Sequence, residues 1–126
     1  MKRRLCQFTY ENNSWKRILE FIRQENILVK NHLAEVISLS QADQLFLDDV
    51  EYLLNNLLQI ETAVGLIYKD IEAFDKLTAK EFFIDGNQQK VIGLHNTIKK
   101  DIKNVEAEFT KLKTRADNLL SDILLA

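Results

Sequence analysis

The chain of 126 residues has no proline, three glycines, two histidines and one cysteine, Cys6. Each scarcity removes a class of protein. A single thiol cannot close an internal disulfide, so the fold must rest on packing and not on covalent staples. With Gly65, Gly86 and Gly93 as the only glycines, neither a dinucleotide fingerprint nor a phosphate loop can be written. Two histidines leave little for nucleophilic or metal catalysis, and no serine sits in a glycine-flanked turn. No run approaches eighteen uncharged apolar residues, so a transmembrane helix is not expected. Met1-Lys2-Arg3-Arg4 lacks the following apolar stretch that a secretion signal needs. These features point to a cytoplasmic protein with no cofactor.

What is present is ordinary in kind and regular in order. At 46% hydrophobic and 29% charged residues with a net charge of -2, the composition is that of one soluble domain spanning 1–126. No overall field draws the chain to nucleic acid or to an anionic membrane.

Residues 1 to 12 show no sustained apolar period and are expected to be irregular. Asn12-Asn13-Ser14 supplies oxygens able to cap a helix starting near residue 14. From Trp15 a four-three spacing then selects Leu19, Ile22, Asn26, Val29, Leu33 and Val36, which predicts a first helix over 14–39. Ser40 with Asp43 matches a capping box for the next helix. That second helix, over 42–78, carries the strongest pattern: Phe46, Val50, Leu53, Leu57, Ile60, Val64, Ile67, Ile71 and Phe74 hold the spacing unbroken. Leu47, Leu54, Leu58 and Tyr68 widen its stripe. Gly65 inside it predicts a close approach or a slight bend, and Gly93 a packing contact. A third helix over 87–124 follows the turn at Asp85-Gly86-Asn87, with Val91, His95, Ile98, Ile102, Val105, Phe109, Leu112, Ala116, Leu119 and Ile123 at its seam. The expected fold is all-α: an elongated, antiparallel, up-down-up three-helix bundle with coiled-coil-like heptad packing.

Charge is segregated along the chain. Seven basic and four acidic groups lie in 1–42, three and ten in 43–85, and seven and five in 86–126. An acidic middle helix between basic neighbours should place opposite charges across both antiparallel seams. The basic run through Lys99, Lys100, Lys103, Lys111, Lys113 and Arg115 is then a solvated or internally paired face. Acids interrupt it and no aromatic residues interleave to stack bases.

A first helix of 26 residues against two of nearly 40 leaves an overhang of roughly 15 to 20 Å at 1.5 Å per residue. Phe74, Val91 and His95 stand on it. Three arrangements would cover it: Leu5, Phe8 and Tyr10 folding back, a second copy closing a two-fold four-helix layer, or a bend in the hairpin. Phe82-Phe83-Ile84 is either a plug for the bundle end or part of a contact surface. The expected contact residues are therefore Phe74, Phe82, Phe83, Ile84, Val91 and His95, and the expected partner is a second copy (a homodimer) or another helical protein. A histidine in such an interface would tie association to pH near its unperturbed pKa of about 6.5. Asn26, a buried amide at a seam position, is expected to fix register.

Two other functions remain open from sequence. Apolar cavities leave no motif, so a small apolar ligand could lie in the bundle core, although the seam is crowded. Neither His32 nor His95 is preceded at three residues by glutamate, so the di-iron pattern is absent. A metal or acid-base site would have to be assembled from Glu25, His32 or His95 with acids of the second helix.

Overall fold

A computed structural model of the chain describes residues 2–39, 44–80 and 88–125, with side chains described for 7–38, 45–78 and 89–122. They form α1 (Lys2–Leu39), α2 (Gln44–Lys80) and α3 (Gln88–Leu125), with no strand among the described residues. Every pair of helices is in contact, making a three-helix bundle. Asn12 and Lys16 meet Asp75, while Asn26 farther along α1 meets Leu57, so α2 runs antiparallel to α1. Glu11 meets His95 and Glu25 meets Lys113, so α3 runs parallel to α1. The order is up, down, up. At 1.5 Å per residue each helix is about 57 Å long.

Most of the four-three residues form the core, while Val36, Phe46, Leu112 and Leu119 are half-buried and the Ile123 side chain lies outside the described residues. Leu19, Leu33, Val50, Leu57, Ile71, Val91, Ile98 and Ala116 have no exposed surface. Burying each large aliphatic side chain contributes roughly 1.5 to 3 kcal/mol, most of it offset by lost chain entropy. The α1–α2 seam shows the expected charge pairing: Lys16 with Asp75, and Lys30 with Glu61. Tyr68 locks the same seam by donating to the Lys16 carbonyl at 3.3 Å. Burial, with the charge and hydrogen bond of Glu20, holds this phenol above its ordinary pKa. Of the residues expected to widen the α2 stripe, Leu54 and Tyr68 are half-buried, whereas Leu47 and Leu58 are 36% and 50% exposed.

The start of α1 departs from the sequence expectation. Residues 2–13 are helical, not irregular, and α1 has 38 residues against 37 in α2 and 38 in α3. Asn12 does not act as a cap. It is a seam residue, buried and bonded across to Asp75. Tertiary packing of Phe8, Asn12 and Trp15 overrides the local capping preference of Asn-Asn-Ser. No overhang is left: Phe74 and Val91, 1% and 0% exposed, lie in the core cluster with Phe8 and Trp15. They are not available to a second chain. Tyr10 points outward, and the Leu5 side chain and Phe82-Phe83-Ile84 lie outside the described residues.

The glycines also read differently in three dimensions. A Cβ built at Gly65 or Gly93 meets nothing within 4 Å, so neither marks a close approach. Gly65→Ala and Gly93→Ala should each therefore raise stability by about 0.5 to 1 kcal/mol through lower unfolded-state entropy. Urea unfolding checks this, and a loss of stability at either site would reveal a constraint that the open space does not show.

Candidate functional site

Two features stand out: a polar and aromatic cluster at one end of the bundle, and the grooves between helices. The cluster forms where the early turns of α1, the last turns of α2 and the first turns of α3 converge. The seam brings Phe8, Asn12 and Trp15 from α1, Phe74 from α2 and His95 from α3 into one layer. Glu11 precedes Asn12 and Asp75 follows Phe74, so both carboxylates flank that layer.

His95 is enclosed by aromatic rings, with centroid distances of 4.8 Å to Phe8, 5.1 Å to Trp15 and 6.0 Å to Phe74. Its Nε2 lies 2.5 Å from Glu11 Oε2, and as the carboxylate can only accept, Nε2–H donates. Gln7 donates to the other oxygen, Oε1, at 2.9 Å. Burial, the largest single influence, pushes the Glu11 pKa up. The bonds from Gln7 and His95 and the charges of His95 and Lys99 together outweigh it and hold the carboxyl below its ordinary value. Beside this pair, Asn12 Nδ2 donates to Asp75 Oδ1, Lys16 Nζ lies 3.4 Å from Asp75 Oδ2, and Asn12 Oδ1 has no partner among the described residues.

A histidine oriented by a carboxylate is half of an acid-base device. Here the imidazole side chain is only 11% exposed and stacked among rings, so its role in this geometry is to pin α1 to α3. The expected interface position of His95 is thereby corrected: its partner is Glu11 of the same chain, because α1 fills the place assigned to a second copy.

Glu11 carries a pH signature. A depressed folded pKa means its contribution is complete above the unfolded value of 4.5 and is lost as pH falls through the folded one. Glu11→Gln should therefore lower stability near neutrality and flatten the acid side of the pH profile. Urea midpoints from pH 3 to 7 test this, and an unchanged acid slope would sink it.

The other sequence candidates do not converge. Glu25 lies 3.5 Å from Lys113, His32 is exposed, and His95 stands level with Glu11, about 30 Å along the bundle from His32 at 1.5 Å per residue. Among the described residues no three His, Cys, Asp or Glu side chains are grouped to hold a metal, and no helix is long and apolar enough to cross a membrane. Asn26 is fully buried and donates to the Leu57 carbonyl at 3.0 Å, with its Oδ1 unpartnered among the described residues.

The grooves were not singled out from sequence. That between α1 and α3, about 540 Å³, is edged by Arg17, Glu106, Lys113 and Asp117 around Ile18 and Phe21. A smaller one between α1 and α2, about 260 Å³, is edged by Arg23 and Glu61. The third, about 560 Å³, runs between α2 and α3 over Ile60, Ala63, Leu66, Ile67, Val105 and Leu112, between edges of Asn56, Gln59, Asp70, Asp101, Asn104 and Glu108. Leu66 is 57% exposed on its floor, and Arg115 stacks 4.6 Å over the Tyr52 ring farther along the same seam.

No protein-family model, no curated protein and no solved structure matches this chain.

Proposed function

We propose that the protein is a non-enzymatic interaction or scaffolding module that binds a helix of another chain along its α2–α3 groove. The observation carrying this reading is the groove itself: a continuous apolar floor with an outward-facing leucine, open to solvent between two long, straight-patterned helices. A fourth helix laid there would bury Leu66 and complete a four-helix arrangement, the usual way a helical surface hides such a stripe. The one histidine–carboxylate pair described here is used inside the fold, which fits a protein whose activity is contact and not chemistry. A single thiol fits a reducing, cytoplasmic setting.

A second reading is self-association through the α1–α3 groove. Phe21 is 59% exposed there, and the edge charges balance, two basic against two acidic. Such a face is self-complementary under two-fold symmetry.

Backbone amide spectra of the labelled protein, recorded with amphipathic helical peptides and across a dilution series, test both. Shifts at Ala63, Leu66 and Val105 on adding peptide support the main reading. Shifts at Phe21 and Phe109 on dilution, with a doubled mass, support the second. A monomer whose spectrum no peptide alters would remove both.

A further inference from the structure

We infer that the α2–α3 groove takes a basic amphipathic helix from another protein, with lysine or arginine flanking its apolar stripe. The inference rests on the helix-binding reading above and adds the partner's charge and its origin outside this chain. The groove is the site, and its edges say what fits. The groove runs along α2 from Asn56 to Asp70, about 21 Å at 1.5 Å per residue, which matches about four turns of a docked helix. Leu66 supplies the exposed apolar contact. Ala63 between the helices presents only a methyl group, so an incoming backbone can approach closely there.

Charge separates this groove from the other two. The α1–α3 edges carry both signs and so do the α1–α2 edges, whereas the α2–α3 lining holds Asp70, Asp101 and Glu108 and no basic residue. Glu108 has Lys111 at 3.8 Å on its own helix, an exposed pair that holds little. Asp70 and Asp101 make no ion pair or hydrogen bond with any other described residue. An apolar trough whose charged edge residues are all acidic selects a helix with cations beside its apolar face and disfavours one with acids there.

The described surface of the chain itself offers no such helix. Its exposed large apolar side chains lie on α1 and α2, while Lys100 and Lys103 project from α3. On α1, Ile27 stands between Arg23 and Lys30, but these pair with Glu20 and Glu61. Only Arg17 is left beside Phe21 among the described α1 cations. On α2, exposed Leu66 has Lys69 beside it but Asp70 as well, so neither helix brings cations to match three acids and a second copy is the poorer occupant.

The test uses the full chain and two dye-labelled peptides of about 15 residues, with leucine at i, i+3, i+4 and i+7 and flanks of lysine in one and glutamate in the other. Fluorescence anisotropy should show the lysine peptide binding about tenfold or more tightly than its glutamate twin, and losing affinity as salt rises. Asp70→Asn with Asp101→Asn should cut that affinity by about three- to tenfold while the melting temperature stays unchanged. Shifts confined to another groove overturn both readings. Equal binding of the two peptides in this groove overturns the inference but leaves the helix-binding reading standing. So does a dimer in which the chain's own helix shifts the Ala63 and Leu66 amides on dilution. If neither peptide binds a monomeric chain, both fall.

Discussion

Phe74→Ala is expected to lower the unfolding free energy by about 3 to 5 kcal/mol, the range for emptying a fully buried aromatic position. The ring is 1% exposed and is the α2 member of the end cluster, meeting Phe8 edge-on at 5.4 Å and Trp15 at 6.2 Å. Its loss leaves a cavity lined by rings that cannot collapse, because Trp15 is held by the seam and His95 by its bond to Glu11. The edge-to-face pairings add roughly 0.5 to 1.5 kcal/mol each beyond burial. In a domain whose total stability is of order 5 to 15 kcal/mol, this is a large share. Urea unfolding should show a shifted midpoint with an unchanged slope. Had Phe74 faced a second copy, as the overhang expectation held, the substitution would alter the mass in solution and spare the monomer's stability. That opposite outcome, or a loss below about 1 kcal/mol, would mean the ring does not lie where the three helices converge.

The helices were largely legible because their apolar spacing is redundant. On α2 nine consecutive seam positions are apolar, and all but Phe46 are buried. The start of α1 was lost because a local signal competed with a nonlocal one. Stepping back from Trp15 by three, four and three residues lands on Asn12, Phe8 and Leu5, the same heptad continued, but the polar Asn12 read as a cap. Its partner Asp75 is 63 residues away, and no local rule carries that distance. A shortened α1 leaves an overhang and takes Glu11 away from His95, whereas the full-length helix covers the one and supplies the other.

Charge illustrates a second limit. Totals by segment predicted opposite signs across both antiparallel seams, and the α1–α2 seam shows them in Lys16–Asp75 and Lys30–Glu61. The α2–α3 seam differs because its flanks matter and the totals do not. Asp70 precedes the seam residue Ile71, and Asp101 and Glu108 precede Ile102 and Phe109, so antiparallel packing turns these flanks toward one groove. Part of the basic charge of α3 is directed to α1: Lys113 reaches Glu25, and Lys99 lies near enough to Glu11 to act on its charge. Counting by flank position would have exposed the acidic groove from sequence, since the heptad register of α2 and α3 was already in hand.

Asn26→Asp is expected to cost about 3 kcal/mol or more at neutral pH, a consequence of leaving a buried charge without a partner. The amide is fully buried and donates to the Leu57 carbonyl at 3.0 Å. An ionised aspartate has no proton to donate and faces that carbonyl oxygen with a negative charge. Protonated, the acid can donate as the amide does, so the fold raises its pKa above the unfolded value of about 3.9. The sign follows: the variant approaches wild-type stability at low pH and falls away from it as pH rises from the unfolded value toward the folded one. Unfolding midpoints of both proteins from pH 3 to 8 should therefore diverge with pH, and parallel curves would refute the burial argument. Asn26→Leu separates stability from specificity at the same position. The Leu57 carbonyl accepts a bond within α2 in any case, and Asn26 Oδ1 already lacks a partner among the described residues, so leucine should leave stability within about 1 kcal/mol of wild type or raise it. If the amide fixes the register of α1 against α2, the leucine variant will show multiple amide signals for residues flanking the seam. A single sharp set would show that the surrounding packing fixes register without it.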